Sequence, residues 1–143
     1  MSAEALVLAN LACAFFLTGL VWVLQVVHFP SMPRVGRDGF RDFARSSRAR
    51  NTALMSGPML IELIAAAWLA IVMRGGLPLF AGALVVVIWA VTWGRIAPLH
   101  ARLIRGYDAA LVRRLIAWNW ARTAAWSLRS ATMMWIVAAR FHI

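Results

Sequence analysis

The sequence predicts an all-α fold, an integral membrane four-helix bundle with both termini outside and two arginine-rich connections in the cytoplasm. Three observations predict it. Of 143 residues, 63% are hydrophobic and 14% charged, against about 45–50% and about 25% in a soluble domain. Four apolar stretches each reach the roughly 20 residues that a helix needs to cross a bilayer. All fifteen basic residues are arginines, and they gather between the hydrophobic runs, as in the cytoplasmic loops of membrane proteins. Mean hydropathy is +0.75 and the net charge is +10.

The whole chain, 1–143, reads as one transmembrane domain. Its first helix is expected over about 3–28, "AEALVLANLACAFFLTGLVWVLQVVH". This run lacks a positive start and a small-residue cleavage site, so it is expected to stay as a permanent helix. The second is expected over about 52–73, the third over 77–98 and the fourth over 115–139. Helices are the default because a spanning segment must satisfy its own backbone polar groups.

Helices two and three are joined by the tight turn "RGGLP", with Gly75, Gly76 and Pro78. The connection after helix one holds six arginines and the one after helix three holds four. The positive-inside rule puts both in the cytoplasm, which implies a multi-pass protein of a bacterial inner membrane. The stretch "RDGFRDFARSSR" sets Phe40 and Phe43 among arginines, which suits a helix lying at the lipid headgroups. Asp108 is placed to cap the helix that follows it.

Function classes narrow in the same way. Basic charge can signal nucleic acid, but arginines confined between apolar runs point to a bilayer instead. No nucleic-acid partner is expected. Cys13 is the only cysteine, which excludes an intramolecular disulfide and a cysteine metal motif.

Several polar residues interrupt the apolar runs. Thr18, Gln25 and His28 share one face of helix one, and Asn119, Arg122, Trp126 and Arg129 form one stripe on helix four. Glu62 lies about 15 Å deep in helix two, between Arg122 and Arg129 in depth. An arginine near the middle of a spanning helix costs roughly 2.5–3.5 kcal/mol on the insertion scale, so partners are expected. Glu62 is the natural counter-ion for Arg122, Arg129 or both. A Glu62–Arg122 pair that only pins the bundle is the plainer alternative. Arg129 could instead snorkel to the outer interface. Two arginines against one carboxylate leave a surplus positive charge.

Thr92, Arg95 and His100 mark the end of helix three, with Arg95 read as an interface anchor. His28 and His100 fall at similar depth but in no metal-type spacing. No metal and no cofactor are expected, with haem or a quinone left open. Trp89, Trp93, Trp118, Trp120 and Trp126 concentrate on helices three and four. They suit either an aromatic-lined cavity or interface anchoring.

The stretch "PLHARLIRGYDAALVRRLIAWNWARTAAWSLR" resembles the small four-helix membrane proteins related to anthrone oxygenase. The residues that carry the resemblance are His100, Arg102, Leu103, Asp108, Trp118, Arg122 and Thr123, within roughly a third of the chain. It implies oxidation of a polycyclic anthrone by dioxygen without metal or flavin. In that reading Arg122 holds a phenolate or carbonyl oxygen, and His28 or Glu62 accepts a proton. Gln25, Asn119, Trp126, Arg129 and His100 complete the candidate ligand-binding set.

Two functions remain open from the sequence. One is a site for a lipophilic, aromatic-type small molecule in the cytoplasmic half of the bundle, with or without cofactor-independent oxidoreductase chemistry. The other is a non-catalytic accessory or assembly subunit of a larger membrane complex, or of a homo-oligomer. The small-residue runs "LIAAAWLA" and "AGALV" would supply its packing surface.

Overall fold

The computed structural model describes residues 3–73 and 75–142, and those residues build four long helices. Helix α1 spans Glu4–Arg34, α2 Phe40–Val72, α3 Gly76–Leu103 and α4 Ala109–Phe141. Each packs on its neighbours in the chain, and α4 closes the ring against α1. Three of them, α1 to α3, are long and apolar enough to cross a membrane. The fourth is equally long, at 33 residues, but its inner face carries Asn119, Arg122 and Arg129. Large apolar side chains point outward from all four, among them Val27, Ile71, Val86 and Trp135. Such a surface suits lipid contact.

The buried positions explain the packing. On α4 one row of them runs through 112, 115, 119, 122, 126, 129, 133 and 136 in alternating steps of three and four, with 123, 125, 130, 132 and 137 buried beside it. On α2 the same alternation runs through 55, 59, 62, 66 and 69. A 3.5-residue repeat keeps one seam facing its partners, the pattern of left-handed supercoiled bundles.

Two irregular turns break that rhythm, and a proline follows each. Leu24–His28 in α1 and Thr92–Ile96 in α3 are π-helical. Each closes with an i→i+5 bond, Phe29 N–H to Leu24 O and Ala97 N–H to Thr92 O. Pro30 and Pro98 follow directly. A proline inside a helix has no N–H to give and its ring crowds the carbonyl four residues back, here those of Val26 and Gly94. Widening the turn by one residue relieves the clash. Within the π turn of α1 both Leu24 and Gln25 are buried, and the stripe resumes at Phe29.

The helices are longer than their apolar runs. Nothing between Phe40 and Thr52 breaks a helix, so the arginine-rich segment expected at the headgroups forms the first turns of α2 itself. Phe40 is fully buried in the bundle, edge-on to Tyr107 with centroids 5.1 Å apart, rather than lying in lipid. The short turn before α3 forms as expected, with Gly75 as cap and Pro78 in the first turn. Arg74 of that turn lies outside the described residues. Asp108 caps α4, its Oδ1 accepting from Ala110 N at 2.7 Å and Leu111 N at 3.1 Å.

Replacing Asp108 with Ala should destabilise the protein by about 0.5–2 kcal/mol, the usual cost of a lost N-cap. A lowered thermal unfolding midpoint in detergent, with helix content intact, is the expected result.

Candidate functional site

Arg129 is the centre of the buried polar layer. Its side chain is fully buried and reaches the other three helices. Nε donates to Glu62 Oε1 of α2 at 2.6 Å, Nη1 to the Ala81 carbonyl of α3 at 2.8 Å, and Nη2 to Asn10 Oδ1 of α1 at 2.7 Å. Trp126 Nε1 donates to the other Glu62 oxygen at 3.2 Å. Small side chains let the backbones close in: Ala65, Ala66 and Ala81 all face inward. Glu62–Arg129 is the only ion pair among the described residues. Arg129 therefore does not snorkel, and Glu62 does not pair with Arg122.

Arg122 lies two turns away and belongs to a second group. Its Nε and Nη2 both donate to Asn119 Oδ1, at 3.0 and 2.6 Å, and its guanidinium lies over the Trp126 ring at 5.6 Å. Asn119 in turn donates to Gln25 Oε1 at 2.6 Å, tying α4 to the π turn of α1. Every atom that accepts from Arg122 here is neutral. The surplus charge anticipated from the sequence thus resides on Arg122, which is 3% exposed.

Beside Arg122 a cavity of about 320 Å³ opens between α2 and α3. Leu24 and Arg122 reach it from α1 and α4, and the rest of its lining comes from α2 and α3. One end holds Arg48, Asn51 and His100; the wall is apolar, with Met55, Met59 and Ile96. Its exposed lining residues are Thr52, Ser56, Leu60 and Trp93, the last two at 53% and 62%, so it opens on the outer face of the bundle between α2 and α3. No Asp or Glu lines the cavity. Trp89 and Thr92 line it too, and Trp89 Nε1 and Thr92 Oγ1 are buried without a hydrogen-bond partner. An unmet buried polar group costs about 1–3 kcal/mol. The π turn of α3 supplies Thr92, Trp93 and Ile96, and such turns often accompany functional sites.

The candidate residues thus divide between these environments. Arg122 and His100 line the cleft, while Glu62, Arg129 and Trp126 form the central clasp. Gln25 and Asn119 lie behind Arg122 as its support. His28 is elsewhere: its ring stacks on Phe43 at 5.6 Å and packs against Phe29 at 5.4 Å. His100 also packs on Phe29, at 5.8 Å. Among the described residues no cluster of three His, Cys, Asp or Glu could hold a metal. Of the tryptophans, Trp89 and Trp93 line the cleft, whereas Trp118 and Trp120 face outward. Arg95 lies over Trp118 at 5.0 Å, on the outer surface.

Asn10 went unmarked in the sequence reading, although it extends the Thr18 and Gln25 stripe of helix one. The Ala81 carbonyl carries no sequence signal at all. No known protein family, curated protein or solved structure matches the chain.

Replacing Arg129 with Met strands the Glu62 carboxylate in the core, and should cost about 3–5 kcal/mol. The double change with Glu62→Gln should recover much of that loss. Thermal unfolding of the unaltered protein and the two variants in one detergent measures both effects.

Proposed function

We propose that this chain is a multi-pass protein of a bacterial inner membrane that binds a lipophilic small molecule in the cleft between α2 and α3. The observation that carries the reading is the cleft itself. Its volume, about 320 Å³, falls at the lower end of ligand pockets, and a few polar groups converge on a mainly apolar wall. Arg122 is held ready there by Asn119 and Gln25 while its charge stays unneutralised. An intramembrane charge kept without a counter-ion is costly, and such groups usually serve function.

The arginine-rich end of the bundle is proposed to face the cytoplasm, with both termini outside, because the basic residues concentrate in the connections at that end. The cleft then opens sideways into the cytoplasmic half of the bilayer, where a lipophilic molecule is dissolved. The resemblance to anthrone oxygenase adds a substrate oxygen on Arg122. The proton acceptors implied by that resemblance, His28 and Glu62, do not line the cleft. His100 is the imidazole that does. The proposal is therefore binding, and it does not extend to oxidation.

Protein extracted gently from its native membrane should carry a small molecule near one per chain by mass spectrometry. Arg122→Leu should lower that occupancy at least tenfold while the helices still insert. A protein that is empty of small molecules and travels with larger partners contradicts the reading. Reporter fusions at the two termini should both report the outside, and fusions at Arg37 or Arg105 the cytoplasm.

A further inference from the structure

Resting on that binding reading, the charge pattern of the cleft narrows the ligand class. Every charged group on the wall is a cation: Arg48 at one end and Arg122 at the inner side, with no carboxylate among the lining residues. Glu62, the one acid in the bundle's buried layer, is committed to Arg129 and Trp126. Arg122 gives Nε and Nη2 to Asn119, and its Nη1 makes no hydrogen bond within the described residues. Trp89 Nε1 can only donate, and it has no acceptor. Thr92 Oγ1 is equally unpartnered. Trp89 thus needs an acceptor, Thr92 can turn its hydroxyl proton toward the same one, and the local charge is positive. A guanidinium is also suited to two oxygens at once, as in a carboxylate or phosphate.

The remainder of the cleft suits hydrocarbon. Met55, Met59, Leu60 and Ile96 make most of the lining apolar, with Asn51, Thr52 and Ser56 as polar exceptions, and flexible methionines adapt to chains of irregular shape. Beyond the mouth lies the exposed apolar surface of α2 and α3, with Ile64 and Val86 at 59% and 65% exposure. A tail can leave the cleft along that surface without entering water.

We propose that the ligand is an anionic amphiphile of the bilayer. Its carboxylate or phosphate head meets Arg122 inside the cleft, and its hydrocarbon tail passes out between α2 and α3. A head that is neutral, or an anion without a tail, lacks half of the match.

The test is native mass spectrometry of the delipidated full chain in a neutral detergent, with paired probes. Oleate is compared with oleyl alcohol, and dioleoyl phosphatidate with dioleoylglycerol; acetate and inorganic phosphate serve as tail-less anions. At least tenfold tighter binding of one charged lipid than of its neutral partner is expected, with no saturable binding of the tail-less ions. Which pair shows the difference identifies the carboxylate or the phosphate. Arg122→Gln should abolish the discrimination. Trp89→Phe, which removes one donor and leaves the guanidinium network intact, should weaken binding of the charged lipid even if Arg122→Gln folds poorly. Equal binding of the charged and neutral lipids overturns the anionic head and leaves the lipophilic site standing. Binding of no lipid at all overturns both.

Discussion

One buried arginine organises this bundle. Arg129 bonds to Asn10 on α1, Glu62 on α2 and the Ala81 carbonyl on α3. A guanidinium with five donors in a fixed plane is the side chain best able to do this. The contacts favour one rotation of each helix about its own axis, because turning a helix carries its acceptor away from the guanidinium. Hydrophobic matching alone would not do so, since lipid and helix surfaces are alike in polarity. The alanines around the clasp then set how closely the backbones approach.

The same interaction decides where charge is left over. Glu62 has two oxygens, and Arg129 and Trp126 take one each. Nothing acidic remains for Arg122, which settles on the neutral Asn119–Gln25 pair instead. That arrangement stabilises the side chain without cancelling its charge. The two prolines act alongside it. Near the arginine-rich end α1 and α3 each widen into a π turn ahead of Pro30 and Pro98. The π turn of α3 lies within the stretch of that helix, Trp89 to His100, that lines the cleft.

Much of this was legible in the sequence because its signals are local and periodic. Four helices, the short Gly75–Gly76 turn, the Asp108 cap and the inward stripe of α4 all follow from spacing and residue type. Pairing was not legible. Glu62 lies between Arg122 and Arg129 in depth, and only the packed helices show that it faces Arg129. The arginine-rich end of helix two also escaped the hydropathy reading, since the arginines from Arg41 to Arg50 look like a loop but contain nothing that stops a helix. Nor could spacing reveal that His28 turns away from the cleft, because the π turn displaces it by one residue.

The proposed function divides labour between two arginines on one helix, with Arg129 holding the fold and Arg122 proposed to meet the ligand. Side-chain NMR of the protein labelled with 15N-arginine observes both guanidinium groups in one sample as dioleoyl phosphatidate or oleate is added. The Arg122 signals should move and saturate with the amphiphile, while those of Arg129 stay in place. Signals of Arg129 that move as much, or Arg122 signals that never move, would contradict it.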